Sequence, residues 1–221
     1  MNKKQLFISN LGWKHRDFKK IIKLIKKNNI QGIDIAPIQL KNNWNKIDIK
    51  LKKFAKELNK LNIKVNAIQG IFYKKNFNLF ENNNLKKKEI YQHINKILAI
   101  SKMFKCNKVI IGSSNFRNLG KLTIQEADLA FVNFFKPIKS LVAKKKIYLC
   151  FETIPKKYGE NYLYKISHLV RLIKKMKSKW FKINFDTSLF HFSKFNYSIF
   201  NKNKKYIKNK KISQKILFFL L

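Results

Sequence analysis

The sequence predicts an α/β protein built on a parallel sheet, and three observations carry that reading. Short β-like runs alternate with amphipathic helical patterns through most of the 221 residues. The runs recur at the spacing of βαβ units, roughly 30 to 40 residues apart. Several are apolar almost throughout, as strands covered on both faces are. Six to seven such units are present, and residue patterning leaves two arrangements open, an open doubly wound sheet and a closed barrel.

The first strand is expected over 5–10 (QLFISN). It is followed by a helix in which Phe18, Ile21, Ile22 and Ile25 take the i, i+3, i+4, i+7 positions of one face. GIDIAP (32–37) reads as the second strand, and Ile47, Leu51, Phe54, Leu58 and Leu61 form the stripe of the helix after it. KVNAIQG (64–70) is the third, paired with a helix aligning Ile90, Ile94, Ile97 and Ser101. KVIIG (108–112) is the fourth. Thr123 and Glu126 then offer a capping box to a helix through Ala127, Ala130, Phe134, Ile138 and Leu141, which Pro137 is expected to kink or split. The fifth strand, KIYLCFE (146–152), precedes a helix with Leu163, Ile166, Val170, Ile173 and Met176 inward. WFKINFD (180–186) is the sixth, and 206–213 reads as a seventh before an apolar end.

The charge invites a nucleic-acid reading: 50 Lys+Arg stand against 11 Asp+Glu, for a net charge of +39. The excess is 47 Lys against 3 Arg, however, and phosphate and base recognition draw heavily on the bidentate guanidinium. Lys, Asn, Ile, Phe, Tyr and Met, all with A/T-rich codons, make 134 residues, while Gly, Ala, Arg and Pro make 19, so an A/T-rich genome accounts for the composition. The lysines recur along the outer faces of expected helices, as on solvated surfaces. Cys106 and Cys150 lie far apart beside apolar runs and read as core thiols of a reducing compartment. No run approaches the ~20 apolar residues of a membrane span, and no signal-peptide pattern opens the chain, so a cytoplasmic protein without membrane contact is expected.

Parallel α/β folds gather their chemistry at the C-terminal ends of the strands. Glu152 and Asp186 each end an apolar strand there, and a carboxylate in that position must be paired, protonated or bound to a cation. Asp34, Gln69, Ser113, Ser114, Asn115 and Arg117 fall on the same face, as does His191 in DTSLFHF. Arg117 stands out because almost every other cation is Lys. His15, His93 and His168 are expected to be surface or helix residues. The chain lacks GxGxxG, a P-loop, GxSxG and HExxH, which removes the anchors of dinucleotide, NTP, serine-hydrolase and zincin chemistry.

In register, these segments resemble the sugar phosphate isomerase/epimerases of the xylose-isomerase-like TIM-barrel superfamily. GIDIAP resembles the strand-2 signature, AIQGIFYKKNFNLFEN the segment after strand 3, and VIIGSSNFRN the strand-4 segment ending in Arg. LCFETIPKKYGENYL, NFDTS and YIKNKKISQ are similar to the strand-5, strand-6 and strand-7 motifs. The resemblance implies a single (β/α)8 TIM-barrel domain over 1–221. It implies a small sugar or sugar phosphate substrate, and a divalent metal, Mn2+ or Mg2+, assisting proton transfer beside a carbonyl. Carried over, Glu152 is metal ligand and acid/base, Asp186 is the second ligand, and Gln69, Arg117 and His191 contact substrate. The chain departs from the pattern at three places: Lys211 stands at the strand-7 His position, Leu189 where a substrate-contacting His belongs, and the sequence stops at Leu221 before a strand-8 Glu. An incomplete barrel is therefore expected, with its open edge covered by a partner or a second copy. The alternatives are a non-catalytic sugar-binding or interaction protein and, on the same barrel, an abasic-site endonuclease, whose multi-metal centre needs many His, Asp and Glu ligands, whereas three of the four histidines here are poorly placed for it. No specific nucleic-acid partner is expected.

Overall fold

A computed structural model describes residues 6–40, 44, 48–186 and 197–211. Seven strands, β1 (Phe7–Ser9), β2 (Gly32–Ile35), β3 (Lys64–Ile68), β4 (Lys108–Ile111), β5 (Tyr148–Glu152), β6 (Phe181–Asp186) and β7 (Ile207–Lys211), form one parallel sheet in sequential order. The helices are α1 (Phe18–Lys27), α2 (Asp48–Lys60), α3 (Asn84–Met103), α4 (Ile124–Lys145), α5 (Ile166–Met176) and the short α6 (Tyr197–Lys202).

The strand order decides between the two arrangements. A doubly wound sheet reverses direction at a switch point and carries helices on both faces. Here every crossover advances by one strand, and right-handed crossovers then place all helices on one side. Alternate strand residues show the result. Ile33, Ile35, Val65, Ile68, Val109, Ile111, Leu149, Phe151, Phe181, Ile183 and Phe185 join the large apolar core shared with the helices. Ala67, Ile110 and Cys150 form a separate cluster on the opposite face. That second face is buried although the described helices lie on the other side, so the sheet curls around it as a barrel does. Among the described residues the sheet has two edges, β1 and β7.

The inner face is more polar than the branched apolar filling usual in such barrels. Asp34 accepts a hydrogen bond from Asn66 Nδ2 (2.7 Å), and Asn66 in turn accepts one from Lys108 Nζ. Burial lowers the Lys108 pKa, with Asp34 among the groups opposing the fall. Burial also drives the Cys150 thiol up to about 12. Both cysteines are free and buried.

Most expected helix faces are the buried ones. Leu163, Ile166, Val170, Ile173 and Met176 are all buried, as are Ile90, Ile94, Ile97 and Ser101. In α4 the face is rotated slightly: Phe131 and Val142 are buried while Ala130 and Leu141 are half-exposed. The Thr123–Glu126 capping box is complete, and α4 continues through Pro137 as one helix rather than splitting. The α4 carboxylate Asp128, itself buried, accepts from Arg171, Lys175 and Tyr162 and ties α4 to α5. Burial alone would raise its pKa, but these hydrogen bonds outweigh burial and hold the carboxyl below its usual range. No described helix is long and apolar enough to cross a membrane.

Candidate functional site at the strand C-termini

The mouth of the barrel is assembled from side chains that substitute for backbone pairing just past the strand ends. Asn10, after β1, donates to the Ala36 carbonyl (3.2 Å) and accepts from the Ala36 amide (2.6 Å), extending the β1–β2 ladder by one rung. Gln69, 2% exposed, donates through Nε2 to Ser9 Oγ (2.5 Å), and its amide continues the ladder to Ile35 O. Gln69 therefore ties the end of β3 to the end of β1 from inside the mouth.

Glu152 closes β5. Its Oε2 accepts from Asn184 Nδ2 (3.1 Å), and Asn184, fully buried on β6, is its register partner. On the other side lies Gly112, where an added Cβ would stand 3.0 Å from Glu152 Oε2 and 3.2 Å from Glu152 Cβ. A glycine just past β4 thus leaves the lane through which this carboxylate reaches the mouth. Asp186 lies two residues beyond Asn184 on the same side of β6, 6% exposed, in register with Lys211 of β7. The structure thus brings Glu152 and Asp186 to the ends of adjacent strands, as the sequence suggests.

Arg117 follows β4 on the expected face, but as a fully buried residue. It donates from Nη2 to the Glu152 carbonyl oxygen (2.8 Å) and forms an ion pair with Glu160 at 2.6 Å. Glu160 also accepts from the amides of Tyr162 and Leu163, 3.1 Å each. In this arrangement Arg117 reaches the site by fixing the main chain under Glu152, and its buried Nη1 is left without a partner among the described residues. Glu160 is the site residue that sequence reasoning missed. Its signal was compositional: one of 11 acids, in the loop after β5, opposite a rare arginine. His191 lies outside the described residues. His93, expected to be a surface or helix residue, lies on α3 and is buried there, with Nε2 2.6 Å from the Ile71 carbonyl, and burial lowers its pKa. The turn of α3 that carries it packs under the Phe72, Phe77 and Trp44 rings.

A divalent cation needs at least one further ligand besides Glu152 and Asp186. Among the described residues no group of three His, Cys, Asp or Glu is placed to hold a metal ion. Of the buried groups flanking Glu152, Asn184 is a neutral amide whose Nδ2 is turned to the carboxylate, and Arg117 is a cation that opposes a second positive charge. The described residues therefore do not by themselves make a metal centre.

Seven parallel strands in sequential order, the first six each followed by a helix, with carboxylates at the C-terminal ends of two adjacent strands, define an α/β barrel, a fold that gathers its chemistry at that mouth. The chain belongs to the xylose isomerase-like TIM barrel family, whose model matches residues 22–214. Among solved structures it is similar to D-psicose 3-epimerase from Clostridium cellulolyticum H10, at 13% identity and a TM-score of 0.75, over 96% of this chain and 74% of that one. It is similar to 3-keto-D-glucoside 4-epimerase from E. coli at 11% identity and a TM-score of 0.72, covering 96% and 80%. A family 2 AP endonuclease from Brucella melitensis aligns at 13% identity and 0.74, covering 95% and 80%. At these identities the likeness is one of fold. No curated protein matches the sequence.

Proposed function

We propose that this chain is a cytoplasmic sugar isomerase/epimerase-type barrel that binds a small sugar or sugar phosphate at the strand C-termini. In this reading Glu152 moves a proton at the carbon next to the sugar carbonyl. The observation that carries it is the setting of Glu152, half-buried at the end of β5, steadied by Asn184 and given room by Gly112. A carboxylate fixed in orientation by an amide donor at the mouth of the barrel is placed as a general base needs to be. Asn184 fixes the carboxylate, Arg117 fixes the backbone from which it projects, and Asp186 and Gln69 line the same mouth. Sugar epimerases and an AP endonuclease are alike in fold to this chain, so the choice between a sugar and an abasic nucleic acid rests on the ligands available. The endonuclease reading needs a multi-ligand metal cluster, and the described residues hold no group of three candidate ligands.

The reaction leaves a readable trace: removal and return of a carbon-bound proton in D2O replaces it with deuterium. A panel of ketoses and their phosphates, followed by proton NMR with the protein and with added Mn2+, is expected to show exchange at one position of one substrate. Glu152→Gln should lower that rate by about 100-fold or more. Exchange that persists undiminished in the variant would remove Glu152 from the chemistry. Sugar binding without exchange in either protein would support a second reading, a non-catalytic sugar-binding barrel, which the lack of a third described ligand favours. Mn2+ binding that weakens in both Glu152→Gln and Asp186→Asn would restore a metal to the site.

A further inference from the structure

The opposite face of the barrel, where strands begin and helices end, carries a groove of about 560 Å3 between the end of α2, the turn into β3 and the end of α3. Its floor is apolar. Ala55 and Met103 are half-buried there, over the buried side chains of Leu58, Val65 and Phe104. Its rim is cationic, with Lys52, Lys56, Lys64 and Lys105 all exposed. None of these four lysines makes an ion pair among the described residues, and no carboxylate lines the groove. Lys105 Nζ reaches across to Asn59 Oδ1 (3.4 Å), so cation and amide groups from α3 and α2 face each other over the floor.

The combination narrows the occupant. A second copy of the chain would bring 50 cations and 11 acids to a lysine rim, and like charges suppress such pairing. A nucleic acid would engage the ammoniums but leave the apolar floor unused, and the groove offers no arginine and no exposed ring for base stacking. What satisfies both parts is a small molecule with an apolar body and one anionic end. The volume is that of a small-ligand pocket, room for roughly ten carbons and a head group. We propose that this groove binds an amphiphilic organic anion, its apolar chain lying on Ala55 and Met103 and its carboxylate, sulfonate or phosphate held by the rim of lysines.

Decanoate is the probe, titrated into the 15N-labelled full chain at 150 mM NaCl, with acetate as the charge-only control. Saturable shift changes should centre on Ala55, Asn62, Met103 and Lys105, and acetate at the same concentration should produce none. The double variant Lys56→Glu/Lys105→Glu, at two exposed positions, should weaken decanoate at least tenfold. Ala55→Phe fills the floor without touching the charge and should weaken it at least fivefold. Spectra of both variants away from the groove should match the parent. Binding should survive Glu152→Gln unchanged, because the groove lies at the other end of the barrel. The proposal is overturned if acetate reproduces the changes, if they spread over the lysine-rich helix faces, or if both variants bind decanoate like the parent.

Discussion

At the scale of single residues, the informative side chain is Arg117. A guanidinium and a carboxylate with no exposure at all have surrendered their hydration, and only mutual pairing and additional hydrogen bonds offset that loss. Arg117 meets the condition at Nε and Nη2, through Glu160 and the Glu152 carbonyl, while its buried Nη1 has no partner among the described residues; Glu160 meets it through two loop amides. Removing one partner strands the other, so Arg117→Met should cost about 3–5 kcal/mol in urea unfolding. Arg117→Met/Glu160→Gln should recover much of the loss, because no charge then remains buried alone. A neutral single variant would show that the pair does not hold the loop. The sequence marks Arg117 as unusual without revealing its task, because its partner lies 43 positions away and residue patterning carries no record of non-local pairing. Glu152 is legible for the opposite reason: an acid ending an apolar strand is a local contradiction visible without coordinates.

At the scale of elements, the five turns from helix to strand repeat one device. Asn29, Asn62, Lys105, Lys146 and Lys177 follow α1 to α5 in turn, each with φ between 44° and 56°. This left-handed position is normally glycine's, since a side chain there costs about 1–2 kcal/mol. The chain has only six glycines, and its lysines and asparagines carry the strain instead. Lys146 follows the 22-residue α4, and its amide bonds back to Val142 and Ala143 carbonyls. Lys146→Gly should therefore raise stability by about 1 kcal/mol, read as a higher urea midpoint with unchanged slope. A lower midpoint would mean that the lysine stem contributes packing the backbone geometry does not show. Strand and helix positions were largely legible because hydrophobic period is local. The continuity of α4 through Pro137 was not, since packing of its buried face against β5 and α5 outweighs one missing hydrogen bond.

At the scale of the whole molecule, local patterning could not separate a doubly wound sheet from a barrel, because periodicity says which faces are apolar but not which strands are neighbours. The sequential strand order supplies that information, and it leaves an apolar shell packed between sheet and helices with lysines pointing outward. On α1, Lys19, Lys20, Lys23, Lys26 and Lys27 are all exposed. Only a few carboxylates answer them, and Asp128 is engaged in holding α4 to α5. A net charge of +39 on one compact chain repels itself, and unfolding relieves the repulsion by spreading the charges apart. Salt should therefore stabilise the fold. Between 0.02 and 0.5 M NaCl the screening length falls well below the spacing of surface lysines. The gain should be on the order of 1 kcal/mol or more, a rise in Tm of about 2–4 °C per kcal/mol for a chain of this size. KCl should act like NaCl, because screening depends on ionic strength and not on the identity of the cation. The effect should level off once screening is complete. A Tm that falls with added salt would mean that attractive ion pairs outweigh the excess charge.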